Sequence, residues 1–101
     1  KYIKAFSNQD LEILEQMFSK RIVLKDWERN IKGKNNVLEE NKKIFNSVKS
    51  IKCKIIKKFI FNYTVICVLK ITINNKDIIN VVDVIEFNKK KEISSIIAFK
   101  R

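Results

Sequence analysis

Asp83 interrupts Ile78-Ile79-Asn80-Val81-Val82-Asp83-Val84-Ile85-Glu86-Phe87, a run that otherwise has the composition of a buried strand. Side chains two apart on a strand share a face, so its carboxyl is set among Ile79, Val81, Ile85 and Phe87. An unpaired carboxylate in apolar surroundings is costly. The group must be ion-paired, hydrogen-bonded, or held protonated by a raised pKa, and the last is a common device of active sites. Two further residues have the right types to work with it. Asp26 shares a strand face with Ile22 and Leu24, which points it toward an apolar space. Tyr2, beside Ile3 and four residues before Phe6, can turn its ring inward with a hydroxyl that seeks a partner. Each also has a plain structural reading: Asp83 in a buried ion pair, Asp26 as a solvated turn residue, Tyr2 as a core aromatic. The cations available to Asp83 are Lys70 and Lys100, on strands expected to flank the cavity; a lysine there would favour the charged acid.

Other chemistry is excluded by composition. Histidine is absent, which removes Ser-His-Asp and Cys-His catalysis and most zinc sites. Cys53 and Cys67 have neither the paired spacing of a metal site nor the number for a disulfide framework, so free buried thiols and a reducing cytoplasm are expected. With Gly33 the only glycine, a Gly-rich phosphate loop is impossible. The net charge of +11 raises the question of nucleic acid. The lysines, however, run along the whole chain among asparagine and isoleucine. Their densest stretch, Lys49 to Lys58, suits a strand edge guarded against aggregation, and no stacking-aromatic pattern accompanies it. Nucleic acid is therefore not an expected partner. The longest apolar stretches break within about ten residues, too short for a membrane span. No signal-peptide pattern is visible, and the chain opens inside a helical pattern, as a segment lacking its natural start would.

The 101 residues fit one domain, 1–101, with a single core. At 46% hydrophobic and 33% charged the chain is foldable rather than disordered. Lys1 to Phe6 read as helix. Ser7-Asn8-Gln9-Asp10 breaks it and starts another, with Asn8 as the cap and Asp10 near the positive end of the helix dipole. Leu11, Ile13, Leu14, Met17 and Phe18 form its apolar stripe. Ile22 to Asp26 is a short strand, and a loop through Trp27, Glu28 and Asn30 leads to Gly33. A third helix runs from Asn35 or Asn36 to Val48 and buries Val37, Leu38, Ile44 and Phe45. Strands are expected over Ile51–Phe61, Tyr63–Ile73, Ile78–Phe87 and Glu92–Lys100, joined at Asn62, Asn74-Asn75-Lys76-Asp77 and Asn88-Lys89-Lys90-Lys91. Asparagine tolerates the positive φ such hairpins need. Val65, Cys67, Leu69 and Ile71 share one strand face. The order predicts an α+β domain, helices over one face of a curved antiparallel sheet with a cavity between the layers.

The chain resembles the SnoaL-like and ketosteroid-isomerase-like group of the NTF2-like superfamily. The resemblance runs from Tyr2-Ile3-Lys4-Ala5-Phe6-Ser7-Asn8-Gln9-Asp10-Leu11 through Asp26, Gly33 and the helix after it, to Val82-Asp83-Val84-Ile85-Glu86-Phe87 and the closing Ile93 to Phe99. It implies a cone of helices and sheet around a deep pocket, and a homodimer through the outer sheet face, where apolar Ile78, Val82 and Val84 want cover. Ketosteroid isomerase works with an aspartate base and an oxyanion hole made by a tyrosine and a protonated aspartic acid. Matched residue by residue, these fall on Asp26, Tyr2 and Asp83. The resemblance implies an isomerase or cyclase, without cofactor or metal, acting on a small hydrophobic carbonyl compound. Asp26 would take the proton, and Tyr2 and neutral Asp83 would donate to the enolate oxygen. Trp27, Leu69 and Ile85 would line the pocket, with the indole of Trp27 capping or filling it where the isomerase has a smaller residue. The late-strand acid of the polyketide-cyclase branch is replaced by Ser94 and Ser95. The Asp-Arg-Asp set of epoxide-hydrolase relatives has no counterpart, since Arg21, Arg29 and Arg101 lie off the central strands. A non-catalytic domain that binds a ligand or a protein partner fits the same fold.

Overall fold

Asparagines reverse the chain twice in its second half. Asn62, Asn74 and Asn75 sit at φ of 53°, 55° and 57°, the left-handed region that asparagine enters at small cost, and Lys91 at 65° completes the last reversal. The computed structural model describes residues 1–101. Its elements are α1 (Tyr2–Ser7), α2 (Leu11–Met17), β1 (Phe18–Lys25), β2 (Asn30–Lys32), α3 (Lys34–Ser47), β3 (Ile51–Phe61), β4 (Thr64–Ile73), β5 (Asp77–Phe87) and β6 (Ile93–Lys100). The six strands form one sheet in the order β2-β1-β6-β5-β4-β3. Register shifts in β1–β6, β3–β4 and β5–β6 bend it, since an extra residue on one strand of a pair increases the local twist. The α+β architecture is as the sequence predicts.

Local details differ. The cap of α2 is Asp10, whose Oδ1 accepts from the Ile13 N–H at 3.2 Å; Asn8 instead closes α1, its N–H donating to the Lys4 carbonyl while the Gln9 N–H donates to that of Phe6. Phe18 belongs to β1, where it pairs with Ile93, and Ile13 is 40% exposed. A strand partner thus ends the helical pattern at Met17, a tertiary preference that local periodicity does not contain. Asn30–Lys32, expected as loop, pairs with β1 as β2. The sheet is mixed rather than antiparallel: β1 and β6 run parallel. Between these two strands the chain passes through β2, α3 and three further strands, so no hairpin dictates their relative direction.

α1 packs on β3, and α3 on β1 and β2. Phe6 meets Phe45 edge to face at 5.3 Å, joining α1 to α3 above the sheet. The core, Leu14, Phe18, Ile22, Val37, Leu69, Ile93 and Ile96, is almost fully buried. Each such side chain contributes about 1.5–3 kcal/mol by leaving water. The opposite face of the sheet carries an apolar band. Strand register places Phe59, Ile66, Val84 and Ile97 in one row across it, with Phe61 and Phe99 on the same face.

Candidate ligand cavity

Asp83 occupies the middle of β5, between Cys67 on β4 and Ala98 on β6. These short neighbours leave its carboxyl facing a cavity of about 320 Å³ between the sheet and the helices. Val81 and Ile85 flank it along the strand, and the residue is 7% exposed. Burial alone raises its pKa from 3.8 to about 7, because the charged form loses water without gaining a counter-ion. Both ion pairs of the protein belong to Arg29, so Asp83 is in neither. The expected lysine partners are elsewhere. Lys70 pairs in register with Asn80, the row beyond Leu69 and Val81, and is exposed on the outer face. Lys100 lines the cavity, but its ammonium lies 5.7 Å from the centre of the Trp27 ring, a cation–π contact.

Tyr2 reaches the same cavity from α1, held by tilted contacts with Phe6 and Phe18 at 6.1 and 6.3 Å. Its phenol pKa is raised well above the usual value, first by burial and then by the charges of Asp83 and Cys53. Burial likewise raises the thiols of Cys53 and Cys67, with Asp83 adding to both, so neither cysteine is an activated nucleophile. Both are free.

Asp26, just past the end of β1, also lines the cavity, in a contrasting environment. Its Oδ1 accepts from the backbone N–H groups of Glu28 and Arg29 at 2.8 and 2.7 Å, the hydrogen-bonded turn that aspartate makes after a strand. Its Oδ2 accepts from Arg29 Nη1 at 3.0 Å, and Arg29 Nε donates to Glu40 on α3 at 2.7 Å. Burial works against the charge of Arg29, but the hydrogen bonds to Glu40 and Asp26 outweigh it and raise its pKa. Asp26 is therefore built into a carboxylate–guanidinium–carboxylate bridge that ties the β1–β2 turn to α3. A carboxylate offers about four lone-pair positions, and the two backbone N–H groups and Arg29 occupy all but one.

Tyr2, Asp26 and Asp83 thus share one cavity, as do Trp27 at 43% exposure and Leu69 at 2%. Ile85 lies outside it. Although on the same strand face as Asp83, it is two residues further along β5 and lines a neighbouring cleft with Tyr2, Cys53 and Cys67. Asn41 on α3, which sequence reasoning passes over, lines the cavity and is 2% exposed. The available signal is its spacing: Val37, Asn41 and Phe45 are four apart and share the buried side of α3.

No family model matches the sequence, and no curated protein matches it either. Solved structures do match. A candidate SnoaL-like polyketide cyclase from Shewanella denitrificans superposes with a TM-score of 0.89 at 15% identity, over 99% of this chain and 85% of that one. The fold is NTF2-like. A candidate ketosteroid isomerase from Kribbella flavida gives 0.87 at 12% identity over 100% of this chain and 73% of its own. An NTF2-like protein of unknown function from Cytophaga hutchinsonii gives 0.83 at 16% identity, over 99% and 83% of the two chains. At such identities the likeness concerns the NTF2-like backbone, and one backbone of this kind serves unrelated chemistries.

Proposed function

We propose that the protein binds a small, mostly apolar molecule in this cavity, and that Tyr2 and protonated Asp83 donate hydrogen bonds to one oxygen of it. The observation that carries the reading is Asp83: a carboxyl 7% exposed, on a mostly apolar cavity, with no ion-pair partner and a pKa raised to about 7 by burial. A neutral carboxylic acid in such a place is a hydrogen-bond donor, as a buried tyrosine hydroxyl is. Apolar walls supply affinity and a few convergent polar groups set orientation, the usual division in a ligand site. Phenols, enols and ketones have the matching oxygen. Calorimetric titration with β-naphthol tests this. Saturable binding should weaken about tenfold in Asp83→Leu and in Tyr2→Phe, the loss of roughly one good hydrogen bond. Binding indifferent to both substitutions overturns the reading.

A second reading, isomerase or cyclase chemistry with Asp26 as the base, is favoured by the presence of Asp26 on the same cavity wall. The remaining lone-pair position on Oδ2 would take a proton from carbon beside a carbonyl, while Tyr2 and Asp83 would stabilise the enolate oxygen. Exchange of the α-hydrogens of β-tetralone in deuterated water, monitored by proton NMR, decides between the readings. Exchange above the buffer rate that disappears in Asp26→Asn supports catalysis. Exchange at the buffer rate with ligand bound leaves binding alone. For assembly we propose a homodimer through the outer sheet face, where Phe59, Phe61, Ile78 and Phe99 are 55%, 76%, 56% and 57% exposed. Two free thiols suit a reducing compartment such as the cytoplasm. No helix is long and apolar enough to cross a membrane.

A further inference from the structure

Asn41 stands in the middle of α3 on a side where its neighbours one turn away, Val37 and Phe45, are 0% and 7% exposed. Its own exposure is 2%, yet its amide Nδ2 has no hydrogen-bond partner. The side-chain hydrogen bonds of α3 are made by Asn36, Glu40 and Ser47. An amide buried in this way lowers stability, and a leucine of nearly the same shape would fill the position without that loss. The fold itself supplies no reason for an amide here. The cavity supplies one, because Asn41 lines it together with Tyr2 and Asp83.

The three groups come from three elements, Tyr2 from α1, Asp83 from β5 and Asn41 from α3. The charged residues that tie α3 to the β1–β2 turn do not compete for the amide, since Glu40, Arg29 and Asp26 are engaged with one another. We infer that Asn41 is a ligand-binding residue whose amide hydrogen-bonds a second oxygen of the molecule held by Tyr2 and Asp83. The inference rests on the binding reading above and narrows the ligand class to apolar molecules with two separated oxygen functions. A hydroxyl suits the second position best, because it donates and accepts and so satisfies either end of the amide.

The test is calorimetric titration of the wild type, Asn41→Leu and Tyr2→Phe with β-naphthol and with naphthalenediols whose second hydroxyl sits at different ring positions. In the wild type at least one diol should bind more tightly than β-naphthol by about fivefold, the effect of one neutral hydrogen bond. Asn41→Leu should abolish that preference, so that no diol binds more tightly than β-naphthol, and raise Tm, the combination expected where a functional residue costs stability. A diol preference that survives Asn41→Leu overturns the inference, as does a wild type that prefers no diol. A lowered Tm with unchanged selectivity overturns it too, and marks the amide as structural. Failure of the underlying reading looks different: β-naphthol binds Tyr2→Phe and wild type equally, whatever happens at position 41. Absence of β-naphthol binding altogether overturns both.

Discussion

Replacing Asp83 by asparagine should remove the pH dependence that this one group imposes on stability. The folded carboxyl has a pKa of about 7 against 3.8 for the free group, so between those values the native state keeps a proton that the unfolded chain has released. Stability falls with rising pH wherever the unfolded state binds fewer protons. The contribution is therefore least unfavourable below pH 3.8, worsens through the window, and levels off above about 7. The whole gap corresponds to about 4 kcal/mol, of which roughly 2–3 kcal/mol is lost between about pH 5 and about pH 8. The substituted amide has no proton to lose, and its own desolvation is independent of pH. Against a domain stability of about 5–15 kcal/mol the difference is easily measured. Urea unfolding monitored by far-UV circular dichroism, on both proteins at both pH values, gives the required double difference. The other carboxylates and the net charge of +11 act on both proteins alike and cancel. The variant should gain roughly 2–3 kcal/mol on the wild type as pH rises across that interval. Parallel pH profiles would refute the claim that Asp83 is buried without a counter-ion.

Three other outcomes rest on the same geometry. Leu69→Ala removes a cavity-wall side chain that is 2% exposed and should cost about 2–5 kcal/mol in urea unfolding, with the spread set by how far the wall collapses. Arg29→Ala breaks two ion pairs whose groups retain some water, so the loss should be only about 1 kcal/mol, accompanied by faster hydrogen exchange at the Glu28 and Arg29 amides that Asp26 accepts from. Phe61→Lys with Phe99→Lys should convert a dimer to monomer in sedimentation velocity with the far-UV spectrum unchanged, and a wild type that sediments as monomer removes the dimer proposal.

The later strands are legible in the sequence because their signals are local. Alternation marks which side of β5 Asp83 occupies, and asparagines mark the reversals. The parallel contact of β1 with β6 is written in no neighbouring residues, since the two strands meet inside the sheet with four others between them in the chain. Asp26 is legible as a strand-end acid facing inward. Its commitment to Arg29 is not, because the Asp-x-x-Arg spacing becomes a hydrogen-bonded turn only when the chain leaves the strand at Asp26. Strand face alone would put Ile85 in the pocket. Face does not reveal where along a strand the helices leave space. Asn41 escapes notice for the opposite reason: a polar residue in a charged helix stands out only when its apolar neighbours at four-residue spacing are considered.

Two acids on one cavity in contrasting surroundings narrow the meaning of Asp83. Asp26 is ringed by donors and does structural duty, tying the β1–β2 turn to α3 through Arg29 and Glu40. Asp83 is buried and takes part in no ion pair, so the sheet gains no salt bridge from its being an acid. If Asp83 were structural, removing it would lower stability, because a buried pair broken on one side leaves a costly unpaired partner. With no partner to strand, Asp83→Leu should instead raise stability near neutral pH while weakening β-naphthol binding, and that opposition is the mark of a group retained for what enters the cavity.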